Sequence, residues 1–235
     1  MLLLLAFLGL QLFFVLRIVS MNWVMPESTT FQRSQAWQIV TRQGQLPWRQ
    51  EPVTLGAIST QLQRAVVASE DAAFIQHQGV WWQSLESAWD KNAKAKAQAE
   101  KRAQKQPDQA FAVKIVGGST ITQQLAKNLF LSGERTLVRK GQELLMTLTL
   151  EVFLSKKRIL EIYLNNVEWG EGVFGIEAAA QHYFRKSAVK LSAWESARLA
   201  VMLPRPRYFE KLPQSPYLAQ RAQTIMGRMN GVVLP

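Results

Sequence analysis

The feature that most restricts this chain is its first twenty-five residues. Met1 to Leu16 contains only Gln11 as a conventionally polar side chain, and an apolar character resumes after Arg17 up to Met25, where Pro26 closes the run. A helix rises about 1.5 Å per residue, so sixteen residues fall short of a hydrocarbon core about 30 Å thick, whereas twenty-five span it with some tilt. Arg17 can then snorkel toward one interface. A cleaved signal peptide is the rival, but it carries a basic n-region and a small-x-small cleavage site, and neither stands here. The expectation is a transmembrane anchor over 1–25. No Lys or Arg precedes the apolar run, so loop charge assigns no orientation.

The remainder of the 235 residues, in a chain that is 48% hydrophobic, is material for one sizeable packed domain. A formal charge of +11 predicts attraction to a polyanion, whether nucleic acid, anionic membrane or phosphorylated substrate. The absence of cysteine excludes disulfides and cysteine-held metals without choosing a compartment. Residues 26–54 read as a connector, mixing Ser, Thr, Gln and Arg and ending in Pro47 and Pro52, with at most a short helix around Phe31 to Val40.

From 55 to 235 the pattern is helical. Thr60 and Gln63 form a capping box ahead of Ala65, Val66 and Val67, and that helix ends near Ser69, presenting Glu70 and Asp71 at its edge. Lys91 to Lys114 is rich in Ala, Gln and cations and reads as a basic, solvated or mobile helical insertion, with anionic lipid heads as a candidate contact. Further helices are expected over Ile121 to Leu131, with Gly133 as C-cap, and over Thr136 to Leu154, burying Leu137, Leu144, Leu148 and Val152. Ser155 to Leu164 and Ile176 to Phe184 follow, separated by Asn165, Asn166 and glycines at 170, 172 and 175. Ser192 with Glu195 caps a helix ending near Pro204, and Ser215 with Pro216 opens the last one. Few segments alternate like strands, so the fold class is mainly α.

Three segments hold residues suited to chemistry. Ser69 to Gly79 sets Glu70 and Asp71 side by side near Val66, Val67 and Phe74, where an apolar setting would raise a carboxylate's pKa toward that of a general base. The plainer reading is a solvated helix end, with Phe74 in the core and His77 a structural hydrogen-bonder. Gly117 to Phe130 reads GGSTITQQLAKNLF; a glycine pair and hydroxyls at a helix start offer donors to an anion, from Ser119, Thr120 and Thr122, although ordinary capping uses the same residues. Gln123, Gln124 and Lys127 can border the same site. Arg135 to Glu143 places Arg139 and Lys140 on one helical face with Glu143, which is either a pair of intrahelical ion pairs or, with Lys127 and Arg135, a nest of cations for a departing diphosphate.

Taken in order, EDAAFIQHQG, GGSTITQQLAKNLF, RTLVRKGQE, KKRILEIYLNNVEWG and GVFGIEAAAQHYF resemble the five motifs of the glycosyltransferase family 51 domain, over about residues 55 to 205. The resemblance implies a lysozyme-like, two-lobed head-and-jaw domain that polymerises lipid II into glycan strands and releases undecaprenyl diphosphate. It implies that Glu70 is the catalytic base and Glu143 the second essential carboxylate. By the same resemblance Lys127, Arg135, Arg139 and Lys140 hold the donor's diphosphate, while Asp71, Ser119, Thr120, Gln123 and Gln124 line the cleft. Glu161 and Asn165 organise the fold by hydrogen bonds and Tyr163 by packing. No cofactor is required and no metal ligands are implied, with Mg²⁺ a candidate only at the diphosphate. The implied partners are lipid II, the growing strand and the bacterial inner membrane, with the catalytic domain on its periplasmic side; other cell wall synthesis or division proteins are further candidates, and nucleic acid is not.

Two departures stand out. Trp81 occupies a position where the family often has Asp, and Trp82 follows it, a pair suited equally to an interface and to a core. The 91–114 insertion is longer and more basic than usual for such a domain. Ser187 to Lys190 reads S-x-x-K, but no SDN or KTG accompanies it, so a transpeptidase is not expected. The competing functional reading is a lysozyme-like hydrolase or lytic transglycosylase, which needs one dominant glutamate but has little use for clustered cations.

Overall fold

Apolar spacing and capping chemistry decide where the helices begin and end. The computed structural model describes residues 1–105, 118–131 and 136–235. In chain order its α-helices are α1 (Leu2–Ser20), α2 (Thr30–Gln43), α3 (Thr60–Glu70), α4 (Trp82–Lys105), α5 (Ile121–Phe130), α6 (Leu137–Phe153), α7 (Lys156–Asn166), α8 (Ile176–Phe184), α9 (Ala193–Met202), α10 (Pro206–Glu210) and α11 (Pro216–Met229). A small sheet has the order β1 (Arg49–Gln50), β3 (Val173–Phe174), β2 (Glu168–Gly170), with β1 parallel and β2 antiparallel to β3. The mainly α expectation holds. Gly133, Gly117 and the 106–114 part of the basic insertion lie outside the described residues.

Three local expectations change. Residues 26–54 contain a full fourteen-residue helix, α2, because Thr29 and Gln32 form a reciprocal capping box and Gln32 and Ile39 are buried. The first helix of the body is capped by Ser59, one residue earlier than expected; Gln63 instead donates to the carbonyls of Leu55 and Ile58. In α6 the buried stripe is Glu143, Met146, Thr147 and Leu150, while Leu137, Leu148 and Val152 are exposed and Leu144 is half-buried. An amphipathic period marks two faces without saying which points inward. Here the polar face carries the partners: Glu143 meets two cations, and the Thr147 hydroxyl donates to the Glu143 carbonyl.

The core runs from α3, packed on α9 and α11, through α7 to α5, which lies against α2 and α6. Trp169, Tyr163, Phe74 and Phe174 are its largest fully buried side chains, each worth on the order of 1.5–3 kcal/mol of apolar burial. As expected, Asn165 ties the preceding chain down, its amide exchanging two 2.8 Å hydrogen bonds with the Val53 backbone, and Glu161 accepts from the Leu55 N–H at 3.2 Å. Gly172 permits β1 to join, since a Cβ there would sit 1.9 Å from the Pro47 carbonyl oxygen at a φ of +74°.

The apolar N-terminal helix α1 lies along α6, through Gln11 against Gln142 and Asn22 donating to the Phe153 carbonyl. Its foot is anchored where Ile18 and Met21 are buried and the Arg158 guanidinium donates to the Met21 carbonyl at 2.6 Å. Gln11, Phe14, Val15, Arg17 and Val19 are half-buried, and the other residues of α1 are exposed. With a mean hydropathy of 2.5 over an eighteen-residue window, α1 is long and apolar enough to cross a membrane.

Candidate active site

Glu70 is the last residue of α3, where the helix stops because Asp71 turns out of it and takes up other partners. The Gln124 amide donates to Glu70 Oε2 at 3.0 Å, and the Tyr163 hydroxyl donates to Gln124 Oε1 at 2.9 Å. The amide is thereby fixed with its NH₂ toward the carboxylate. Burial raises the Glu70 pKa above the 4.5 of an ordinary glutamate, against the hydrogen bonds from Gln124 and Ser69 and with the help of the neighbouring Asp71 charge. Burial, with the charges of Glu70 and Asp71, also lifts the Tyr163 phenol well above its ordinary range, so it serves as a donor throughout.

Asp71 is only 5% exposed. One oxygen meets His77 Nε2 at 2.9 Å and the other accepts the Ile121 N–H at 3.1 Å. Its carboxylate thus braces the start of α5. Thr120 is the N-cap of α5, accepting from the Gln123 N–H at 3.2 Å and donating to the Gly79 carbonyl at 2.5 Å. Gln123 completes the capping box through its Oε1, and the Thr122 hydroxyl donates to Glu151. Trp81 lies nearly parallel to His77, their ring centroids 6.3 Å apart, while Trp82 projects from the surface.

Two cavities meet in this region. One of about 220 Å³ is lined by Glu70, Asp71, Trp81, Ser119 and Thr120 with the short residues around them. The other, about 400 Å³, is lined by Ser119, Gln123, Gln124, Lys127, Arg139, Lys140 and Glu143 together with a face of α2. Ser119 borders both, and Gln124 reaches from the second to the Glu70 carboxylate. Glu143 is 3% exposed and held by Arg139 at 2.9 Å and by Lys140 on its other oxygen. Both intrahelical ion pairs therefore form, within the wall of the cavity. Among the described residues, the Arg139 Nε has no hydrogen-bond partner. Lys127 keeps surface exposed, yet the protein packed around its ammonium draws its pKa down, with Glu143 opposing and Arg139 and Lys140 reinforcing that shift. Arg135 lies outside the described residues.

The sequence had marked most of these side chains, though not the α2 face, Glu151 or the Tyr163 hydroxyl; Asp71 and Thr120, read there as cleft residues, line the smaller cavity and also brace the fold. The mutual spacing of Tyr163 and Gln124, thirty-nine residues apart, leaves no local signal. On α2, the sequence offered only a short helix around Phe31 to Val40.

A helical scaffold that holds a carboxylate of raised proton affinity beside a cationic cavity is the architecture of an enzyme that moves a group off an anionic carrier. The family model described as Transglycosylase matches residues 38–230. A biosynthetic peptidoglycan transglycosylase of Burkholderia thailandensis is 49% identical over 98% of this chain and 84% of its own length. Its counterpart in Paraburkholderia xenovorans is 48% identical over 98% and 89%. This chain belongs to the transglycosylase family.

Proposed function

We propose that this enzyme is a peptidoglycan glycosyltransferase of bacterial cell wall biosynthesis, polymerising lipid II into glycan strands by inverting transfer. The supporting observation is the adjacency of the two cavities: one holds a buried, proton-avid carboxylate, the other a set of cations, and Ser119 and Gln124 join them. In this reading Glu70 takes the proton from the acceptor sugar's 4-hydroxyl as that oxygen bonds to the donor's anomeric carbon. The bond from that carbon to the diphosphate oxygen breaks, and its electron pair leaves with undecaprenyl diphosphate. Lys127, Arg139 and Lys140, with Arg135, receive the developing charge. Glu143 fixes the two cations of its own helix and takes no proton. No cofactor is assigned; Mg²⁺ would act only as a further counterion at the diphosphate, so turnover in EDTA tests its need.

A hydrolase of finished glycan makes no use of the cationic cavity, which is why polymerisation is the stronger reading. For location, we assign α1 as a single pass through the bacterial inner membrane, with the body on the periplasmic side. The mostly exposed α1 helix and the exposed apolar face of α6 beside it support contact with lipid. The deciding experiment incubates labelled lipid II with wild type and Glu70→Gln and sizes the products with and without muramidase. Loss of a general base should lower turnover by about 10²–10⁴-fold with circular dichroism unchanged. A Glu70→Gln enzyme that still polymerises at the wild-type rate would defeat this assignment.

A further inference from the structure

The wall of the larger cavity supplied by α2 has a different chemistry from the walls supplied by α5 and α6. Phe31, Ser34, Gln35 and Gln38 line it; none is charged. Among the described residues, the Ser34 hydroxyl and the Gln38 amide have no intramolecular partner. Gln35 is different because its carbonyl oxygen accepts from the Arg207 guanidinium. That guanidinium is itself fixed by Glu168, a carboxylate only 8% exposed, with its Nε donating to Glu168 Oε1 at 2.7 Å. A hydrogen bond between residues 172 apart in sequence, its donor held by a half-buried ion pair, thus turns one glutamine. With its oxygen taken, Gln35 keeps two N–H donors that no group among the described residues accepts.

A surface amide set in one orientation beside a cavity suits a ligand with neutral oxygen acceptors, such as hydroxyl, ether or N-acetyl groups. The aromatic Phe31 adds a flat apolar edge of the kind that packs on a sugar ring. The cations on α5 and α6, by contrast, suit phosphate. We infer that the α2 wall binds the glycan of the donor: Gln35 and Gln38 hydrogen-bond its sugar substituents, and Arg207 with Glu168 positions Gln35. This deepens the proposed function and rests on it. Sugar and diphosphate would then be held by separate elements around one cavity, so that affinity for the carrier and affinity for the sugar can be changed independently.

The test separates those two affinities. Wild type, Gln35→Ala, Gln38→Ala and Arg207→Lys would each be assayed for kcat and KM with lipid II, and for inhibition by a polyprenyl diphosphate that carries no sugar. Loss of one neutral hydrogen bond raises KM by about 3- to 10-fold for Gln35→Ala and Gln38→Ala, with kcat within about twofold because such binding is uniform between ground and transition states. Arg207→Lys, which keeps the charge beside Glu168 but loses the fork, should reproduce the Gln35→Ala rise. Inhibition by the sugar-free diphosphate should stay at the wild-type value in all of them. An unchanged KM in Gln35→Ala overturns the inference, as does an equal weakening of lipid II and sugar-free diphosphate, which would mark a loss of cavity shape. A wild type that makes no muramidase-sensitive polymer overturns the functional reading and this inference with it.

Discussion

At the residue scale, the proton affinity of Glu70 is the property on which turnover depends. Its folded-state pKa lies above 4.5, so the acid limb of kcat/KM should fall above the ordinary glutamate value rather than at it. Lys127 sits below 10.5, which moves the alkaline limb down from that of an ordinary lysine. A pH–rate profile reads both, and an acid limb at or below 4.5 would contradict the geometry around Glu70. The sign for stability follows from linkage. A raised carboxylate pKa means stability is fully present below 4.5 and is lost as pH rises through the folded value. Glu70→Gln should therefore be more stable than wild type at neutral pH, an advantage that fades as pH falls toward 4.5, measurable by denaturant midpoints across that range. Tyr163→Phe removes the donor that orients Gln124 and leaves its oxygen unpaired in a buried setting, at a cost of about 1–3 kcal/mol. Its kcat should fall while KM for lipid II holds.

At the element scale, the start of α5 is the joint on which the site depends. Asp71 reaches from the end of α3 to the Ile121 N–H and to His77, and Thr120 closes onto the Gly79 carbonyl. The start of the motif read as an anion cradle thus also splices helices together. Asp71→Ala removes both contacts of a buried carboxylate and should destabilise by about 3 kcal/mol, seen as an earlier denaturation midpoint. Gly79 has a φ of +82°, and a Cβ there would fall 2.7 Å from Thr147 Cγ2 and 2.9 Å from Glu151 Cγ. Gly79→Ala combines strained backbone with overpacking, each worth about 1–3 kcal/mol. Chemical denaturation that shows Gly79→Ala as stable as wild type would mean the α5 start tolerates a shifted loop.

At the scale of the whole molecule, charge and apolar surface are segregated. Leu137 and Val138 are 91% and 85% exposed on the α6 face near α1, while the cations at 139 and 140 of the same helix line the cavity. On the membrane reading, deleting residues 1–17 should weaken vesicle flotation without abolishing it, because the α6 patch remains; complete release into the soluble fraction would tell against a second lipid contact. The sequence by itself determined most of the helices, several of their caps, the apolar span and the candidate residues Glu70, Lys127, Arg139, Lys140 and Glu143, because side-chain chemistry and helical period are written locally. Only the tertiary structure decided which face of α6 turns inward, that α2 walls the larger cavity, and that Asp71 and Thr120 brace the fold. Those outcomes depend on partners tens to more than a hundred residues away, such as Tyr163 with Gln124 and Gln35 with Arg207, and a hydrogen bond between distant segments leaves no periodic trace along the chain.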